Sequence, residues 1–187
     1  MTGEHDRLAH FAVTIIGKDR PGIVAGAAEI LYRLGCNIAD SSCTMLAGEF
    51  AMILIVSHDK PFTKVALLDG FRRLCDSMGL SVSARPLHGE EAHYRAPEGE
   101  LCLVTVYGSD QPGIVYRVTQ ELASRGVNIT DLNTKLVGSD EEPVYVLMLE
   151  AALSEGMSIE QLTTLMTRVG QEIKVEVSVR PVTPVAF

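Results

Sequence analysis

Apolar and polar residues alternate with two different periods along this chain, and each change of period marks the start of a new element. Residues 8–17 and 101–108 are rich in β-branched and aromatic residues, which favours strands. Apolar residues spaced three or four apart follow each strand and predict an amphipathic helix. These residues are Ile23, Ala27, Ile30, Leu31 and Leu34 in the first half, and Ile114, Val118 and Leu122 in the second.

A pair of apolar segments separated by a turn comes after each of these helices. Residues 37–46 and 50–57 predict a hairpin that turns at Ala47-Gly48. Residues 128–137 and 144–151 predict a second hairpin with a longer turn.

A second helix and a last strand complete each half. We expect Gly79 and Gly170 to end these helices, because glycine favours the left-handed conformation that follows a last helical turn. Alternating apolar residues over 80–84 and 173–179 predict the last strands. The apolar helix positions are Val65, Leu68, Phe71, Cys75 and Met78, and then Ile159, Leu162, Leu165 and Val169.

The two halves are copies of one repeat. Residues 19–40 align with 110–131 at an offset of 110 − 19 = 91, and "ARP" at 84–86 aligns with "VRP" at 179–181 at an offset of 180 − 85 = 95. The second copy therefore has about four extra residues, which we place in "VGSDEEP" at 137–143.

Each copy has the element order β-α-β-β-α-β, which predicts a four-stranded antiparallel sheet with two helices on one face. The expected class is α+β, with two ferredoxin-like domains. We place them at residues 1–86 and 101–187, joined by a polar linker at 87–100. Because each copy is small for an independent core, we expect the two to pack as a pseudo-symmetric pair.

Charge and hydropathy exclude several classes of function. The net charge is −8 and the sequence pI is about 5.1, and no lysine or arginine cluster offers a basic face to a nucleic acid. No apolar run reaches the roughly 18 residues that a membrane span needs. The first ten residues carry acids and lack the apolar core of a secretory signal, so we expect a cytoplasmic protein with no membrane or direct nucleic-acid partner.

Candidate catalytic and metal chemistry is sparse. The four cysteines form no C-x-x-C pair and suit small buried residues, with Cys36 and Cys43 as the pair that merits a redox test. His88 and His93 flank acidic residues in the linker, but their spacing does not suit two metal ligands on one helix face. We therefore expect no enzyme activity, no metal and no cofactor.

A Pro-Gly pair stands between the first strand and the first helix of both copies. We expect proline at the first helical position, where its missing N–H is harmless. Glycine next to it would allow an anion to approach the helix N-terminal N–H groups, while Asp19 or Asp110 would attract a cation. Together these groups suit the carboxylate and ammonium of an α-amino acid. The alternative is that the aspartates only stabilise the helix starts, and that Gly22 and Gly113 only relieve close packing.

The motif "GKDRPGIV" with "LGCNIADSSCTML", and its counterpart "GSDQPGIV" with "RGVNITDL", resembles tandem ACT-domain regulatory proteins such as the glycine cleavage system transcriptional repressors. The resemblance covers nearly the whole chain. It implies domains that pair side by side and bind an amino acid, with glycine as a candidate. It also implies a non-enzymatic sensor that regulates transcription through a partner protein. A regulatory subunit of a separate metabolic enzyme is the alternative, and a homodimer stays open.

The resemblance also implies which residues bind the ligand. About 14 helical residues separate Asp19 from Asn37, so the two lie at opposite ends of one repeat. We therefore expect each Pro-Gly loop to act with the asparagine of the other repeat. Asn37 and Asn128 have an alternative role as turn residues. The ligand-binding candidates are Asp19, Arg20, Gly22, Ile23, Asn37, Asp110, Gln111, Gly113, Ile114 and Asn128.

Overall fold

The computed structural model describes residues 9–92, 99–139 and 143–182. The chain divides into two compact units, Met1–Tyr94 and Arg95–Phe187. Each unit contains one four-stranded antiparallel sheet and two α-helices, so the expected α+β class with two ferredoxin-like repeats is confirmed. His93 and the tip of the longer hairpin turn lie outside the described residues.

The first unit has the strand order β2-β3-β1-β4. Both helical connections cross the sheet, so the two strands that each helix joins are never neighbours. The elements are β1 (Ala9–Lys18), α1 (Ile23–Arg33), β2 (Asn37–Leu46), β3 (Glu49–His58), α2 (Lys64–Met78) and β4 (Ser81–Leu87). A short 3₁₀ turn over Gly89–Ala92 follows β4, within the residues expected to form a linker.

The second unit repeats this topology with the strand order β6-β7-β5-β8. Its elements are β5 (Leu101–Ser109), α3 (Ile114–Ala123), β6 (Asn128–Gly138), β7 (Pro143–Ala152), α4 (Ile159–Ile173) and β8 (Glu176–Pro181).

The hairpins locate the four extra residues of the second copy. Asn37 pairs with Ser57, a separation of 57 − 37 = 20, whereas Asn128 pairs with Ala152, a separation of 152 − 128 = 24. The insertion therefore lies in the second hairpin, as the sequence predicted. Both hairpins also have a β-bulge at the same place, between Ile38 and Asp40 in β2 and between Ile129 and Asp131 in β6.

Each unit has its own hydrophobic core between its sheet and its helices. Every second side chain of the two central strands faces the helices and is buried. Full burial of such a side chain contributes roughly 1.5–3 kcal/mol. The central-strand residues are Phe11, Val13, Ile15, Phe50, Met52, Leu54 and Val56 in one unit, and Cys102, Val104, Val106, Leu147, Leu149 and Ala151 in the other.

The second helices depart from the sequence prediction at two points. In α2 the buried residues are Leu67 and Phe71, while Val65 is 69% exposed. Gly79 ends α2 as expected, but Gly170 lies inside α4, which continues to Ile173. A Cβ on Gly170 would lie 2.7 Å from the carbonyl oxygen of Val175, so this glycine allows the chain entering β8 to approach the helix.

Candidate functional site

The two Pro-Gly pairs form turns that precede the helices. Gly22 has φ 98° and ψ −8°, and Gly113 has φ 97° and ψ −3°. These are the angles of the third residue of a type II turn, whose second residue is commonly proline. The helices begin one residue later, at Ile23 and Ile114, so the expectation that proline occupies the first helical position is wrong. Glycine is required here because a side chain would strain a left-handed backbone.

The helices that follow these turns begin without a side-chain cap. Neither α1 nor α3 has a capping hydrogen bond or an acidic residue in its first turn. The other two helices are capped: Thr63 accepts from the N–H of Ala66, and Ser158 with Gln161 forms a capping box. The first-turn N–H groups of α1 and α3 therefore keep a partial positive charge that attracts anions.

Asp19 and Asp110 lie in these loops with exposed side chains. The backbone N–H of Asp19 donates to the carbonyl of Gly48 at 2.9 Å, which holds the loop against the turn of the first hairpin. Because neither carboxylate caps a helix, the alternative in which the aspartates only cap the helix starts has no support from hydrogen bonds.

A cavity of about 450 Å³ opens beside the second Pro-Gly turn. Four of the predicted ligand-binding residues line it, namely Asp110, Gln111, Gly113 and Ile114. Three further residues line it that the sequence prediction missed, namely Val115, Tyr116 and Tyr145. Tyr145 comes from β7, where the only signal was a tyrosine in a strand of mostly aliphatic residues.

The second loop is tied to the end of α4. The side-chain amide of Gln111 donates to the carbonyl of Ile173 at 2.5 Å, and Arg117 pairs with Glu172 at 2.6 Å. Gln111 therefore braces its own loop. Its counterpart Arg20 is exposed and makes no ion pair with any described residue.

Asn37 and Asn128 lie at the far ends of their sheets from these loops. Asn37 pairs with Ser57, which pairs with His10, and Asp19 follows His10 by nine residues along the chain. At about 3.3 Å per strand residue that is roughly 30 Å. Asn128, Ala152 and Leu101 form the matching row of the second sheet. Neither unit therefore brings its asparagine to its own loop.

The fold and these loops recur in a known family. The ACT-domain family model matches residues 9–85 and 100–180, one match for each unit. The chain belongs to the ACT-domain family. It is 26% identical over 168 residues to the glycine cleavage system transcriptional repressor of Escherichia coli, covering 81% of this chain and 80% of the relative.

Two further similar proteins differ in how much of this chain they match: one matches about a single repeat, and the other matches nearly the whole chain. A UPF0237 protein of Streptococcus pneumoniae is 33% identical over 82 residues, which is 44% of this chain and 93% of that protein. The crystal structure of an unknown protein from Galdieria sulphuraria matches with a TM-score of 0.78 and 26% identity, covering 94% of this chain and 99% of that one. One ACT repeat thus occurs almost alone, and the tandem form recurs at full length.

Ile23 and Ile114 are core residues of their ACT repeats. Each side chain is 2% exposed and packs in the core of its own unit. Their backbone N–H groups belong to the uncapped first turns, so a ligand at either loop would meet main chain at these positions.

Cys36 and Cys43, the pair whose redox pairing the sequence left to be tested, lie too far apart to form a disulfide. Cys36 stands just before β2, and seven residues of mostly extended chain separate it from Cys43. That distance is about 20 Å, whereas a disulfide needs Cα atoms within about 7 Å. Burial also raises the pKa of the Cys36 thiol, which disfavours the reactive thiolate.

No helix in the described parts of the chain is both long and apolar enough to cross a bilayer.

Proposed function

We propose that this ACT-domain protein is a non-enzymatic amino-acid sensor that regulates transcription of amino-acid metabolism through a partner protein. The observation that carries the proposal is the second Pro-Gly loop, where an uncapped helix N-terminus and Asp110 face one cavity. The Escherichia coli relative, a repressor of the glycine cleavage system by name, supports the regulatory part.

The loop supplies complementary groups for the two charges of an α-amino acid. The first-turn N–H groups of α3 would bind the carboxylate, helped by the helix dipole. The carboxylate of Asp110 would accept charge-assisted hydrogen bonds from the ammonium group. The first loop offers the same pair of groups through α1 and Asp19, with Arg20 exposed next to them.

Ligand-induced stabilisation tests the proposal. A ligand present at 100 times its dissociation constant stabilises the native state by about 2.7 kcal/mol. We expect at least one of the twenty amino acids to stabilise the protein, with glycine as the first to test. Asp110→Asn and Asp19→Asn should each weaken this effect, because each removes the charge opposite the ammonium group.

The matched control is Asp69→Asn, which removes another exposed carboxylate, from the surface of α2. It should leave ligand stabilisation unchanged. If no amino acid stabilises the protein, or if Asp69→Asn weakens the effect as much as the loop variants do, the proposal is wrong.

A further inference from the structure

The cavity beside the second Pro-Gly turn is lined by two kinds of group. Asp110, Gln111 and Gly113 supply polar groups. Val115, Tyr116 and Tyr145 supply apolar surface, whereas the side chain of Ile114 is only 2% exposed and packs in the core. An ammonium and a carboxylate need only the polar groups, so the apolar surface is free to contact the rest of a ligand.

We propose that this cavity selects an α-amino acid with a large apolar or aromatic side chain. This inference rests on the amino-acid site proposed above. Tyr116 and Tyr145 are then its specificity-determining residues. Its volume of about 450 Å³ lies within the range of about 300–1,000 Å³ typical of small-molecule sites. Glycine has no side chain to place against the tyrosines. Each buried methylene of a larger side chain would raise affinity about fourfold.

Charge in the cavity disfavours acidic amino acids. Among the described residues, Asp110 is the only charged side chain that lines the cavity. The nearby Arg117 pairs with Glu172 and does not line the cavity, and the Gln111 amide donates to the carbonyl of Ile173. A ligand with an acidic side chain would bring a second negative charge close to Asp110, without a cation to compensate it.

The first ACT repeat lacks both tyrosines. With the offsets of 91 before the hairpin tip and 95 after it, Ala25 stands at the position of Tyr116 and Phe50 at that of Tyr145. Phe50 is buried in the core of its unit, and Ala25 has no ring to contact a ligand side chain. The selectivity inferred here therefore belongs to the second repeat.

The test measures binding of phenylalanine, leucine, glycine and glutamate to the full-length protein by isothermal titration calorimetry. We expect phenylalanine or leucine to bind at least tenfold more tightly than glycine, and glutamate to bind more weakly than leucine. Tyr116→Ala should weaken phenylalanine binding about tenfold while changing glycine binding by less than twofold. Because Tyr116 is 61% exposed, this variant should fold normally.

Two further variants separate the role of the cavity from general effects. Tyr32→Ala removes a tyrosine that is 83% exposed on α1 of the first repeat, and it should leave all four affinities unchanged. Tyr145→Phe keeps the ring packed against the core and should preserve the preference for phenylalanine and leucine over glycine.

Three results would overturn the inference. Glycine that binds as tightly as phenylalanine and leucine, with a dependence on Asp110, refutes the selectivity and leaves the amino-acid sensor intact. Unchanged phenylalanine binding in Tyr116→Ala refutes the role of that tyrosine. Failure of every amino acid to bind overturns the selectivity and the proposed sensor together.

Discussion

Replacing Gly113 by alanine separates two reasons for the glycine in the Pro-Gly turn. Its φ of 97° is left-handed, and a Cβ built there has no other atom within 4 Å. The methyl group therefore meets no steric obstacle, and the whole cost comes from the backbone. If the glycine served only to let a ligand approach, Gly113→Ala would reduce binding and leave the free protein as stable as before.

The backbone geometry gives the expected magnitude. A left-handed conformation costs a residue with a Cβ about 1–2 kcal/mol. Alanine also restricts the unfolded chain, an effect of about 0.4–1 kcal/mol, but at a positive φ the backbone strain exceeds it. We expect a net loss of about 1 kcal/mol in the free energy of unfolding, without any ligand present.

Urea denaturation of the free protein measures this loss directly. Gly113→Asn is the matched variant, because asparagine tolerates the left-handed region better than alanine although its side chain is larger. It should lose less stability than Gly113→Ala. An alanine variant as stable as the parent, or an asparagine variant that loses more than the alanine variant, would refute the turn-based explanation.

Two further predictions concern other positions, and a third concerns the net charge. Gly170→Ala should destabilise the protein by about 1–3 kcal/mol in urea, because its Cβ meets the backbone oxygen of Val175. Gly26→Ala is its control and should cost less, since its Cβ meets the movable Cδ1 of Leu74. Ser158→Ala should cost about 1 kcal/mol by removing the cap of α4, with amino-acid binding unchanged; a loss of binding would show that α4 does more than support the fold. The net charge of −8 predicts no specific DNA binding at physiological salt, and a submicromolar, sequence-specific gel shift with the purified protein would contradict this.

The order of elements could be predicted because each is encoded locally. The repeat, the alternating strands and the two hairpins are all readable from spacing, and the hairpin register confirms the place of the insertion. Even so, the buried face of α2 was partly misplaced. Apolar residues at 65, 67 and 68 allow more than one helical face, and the packing of the sheet selects Leu67 over Val65.

Features that depend on contacts between distant segments could not be predicted. A glycine near the end of a helix can either end the helix or leave room for a neighbouring segment. Gly170 leaves room for the chain entering β8, and only the contact between these two segments shows this. The cavity joins α3 to a tyrosine from β7, and the Gln111 amide meets a carbonyl 62 residues away. Local pattern contains no information on such pairs.

The bulge shared by β2 and β6 has a consequence for how the protein resists aggregation. Both are outermost strands, with one row of backbone groups that no strand of their own sheet pairs, and such edges can recruit identical molecules into fibrils. The bulge breaks the regular spacing of that row, and a carboxylate follows it immediately, from Asp40 in one copy and Asp131 in the other. An incoming strand would lose its register there and would bring its own aspartate close to a like charge. Of the four edge strands in the described sheets, β2 and β6 thus carry an irregularity that works against endless stacking, while β4 and β8 form the other two edges.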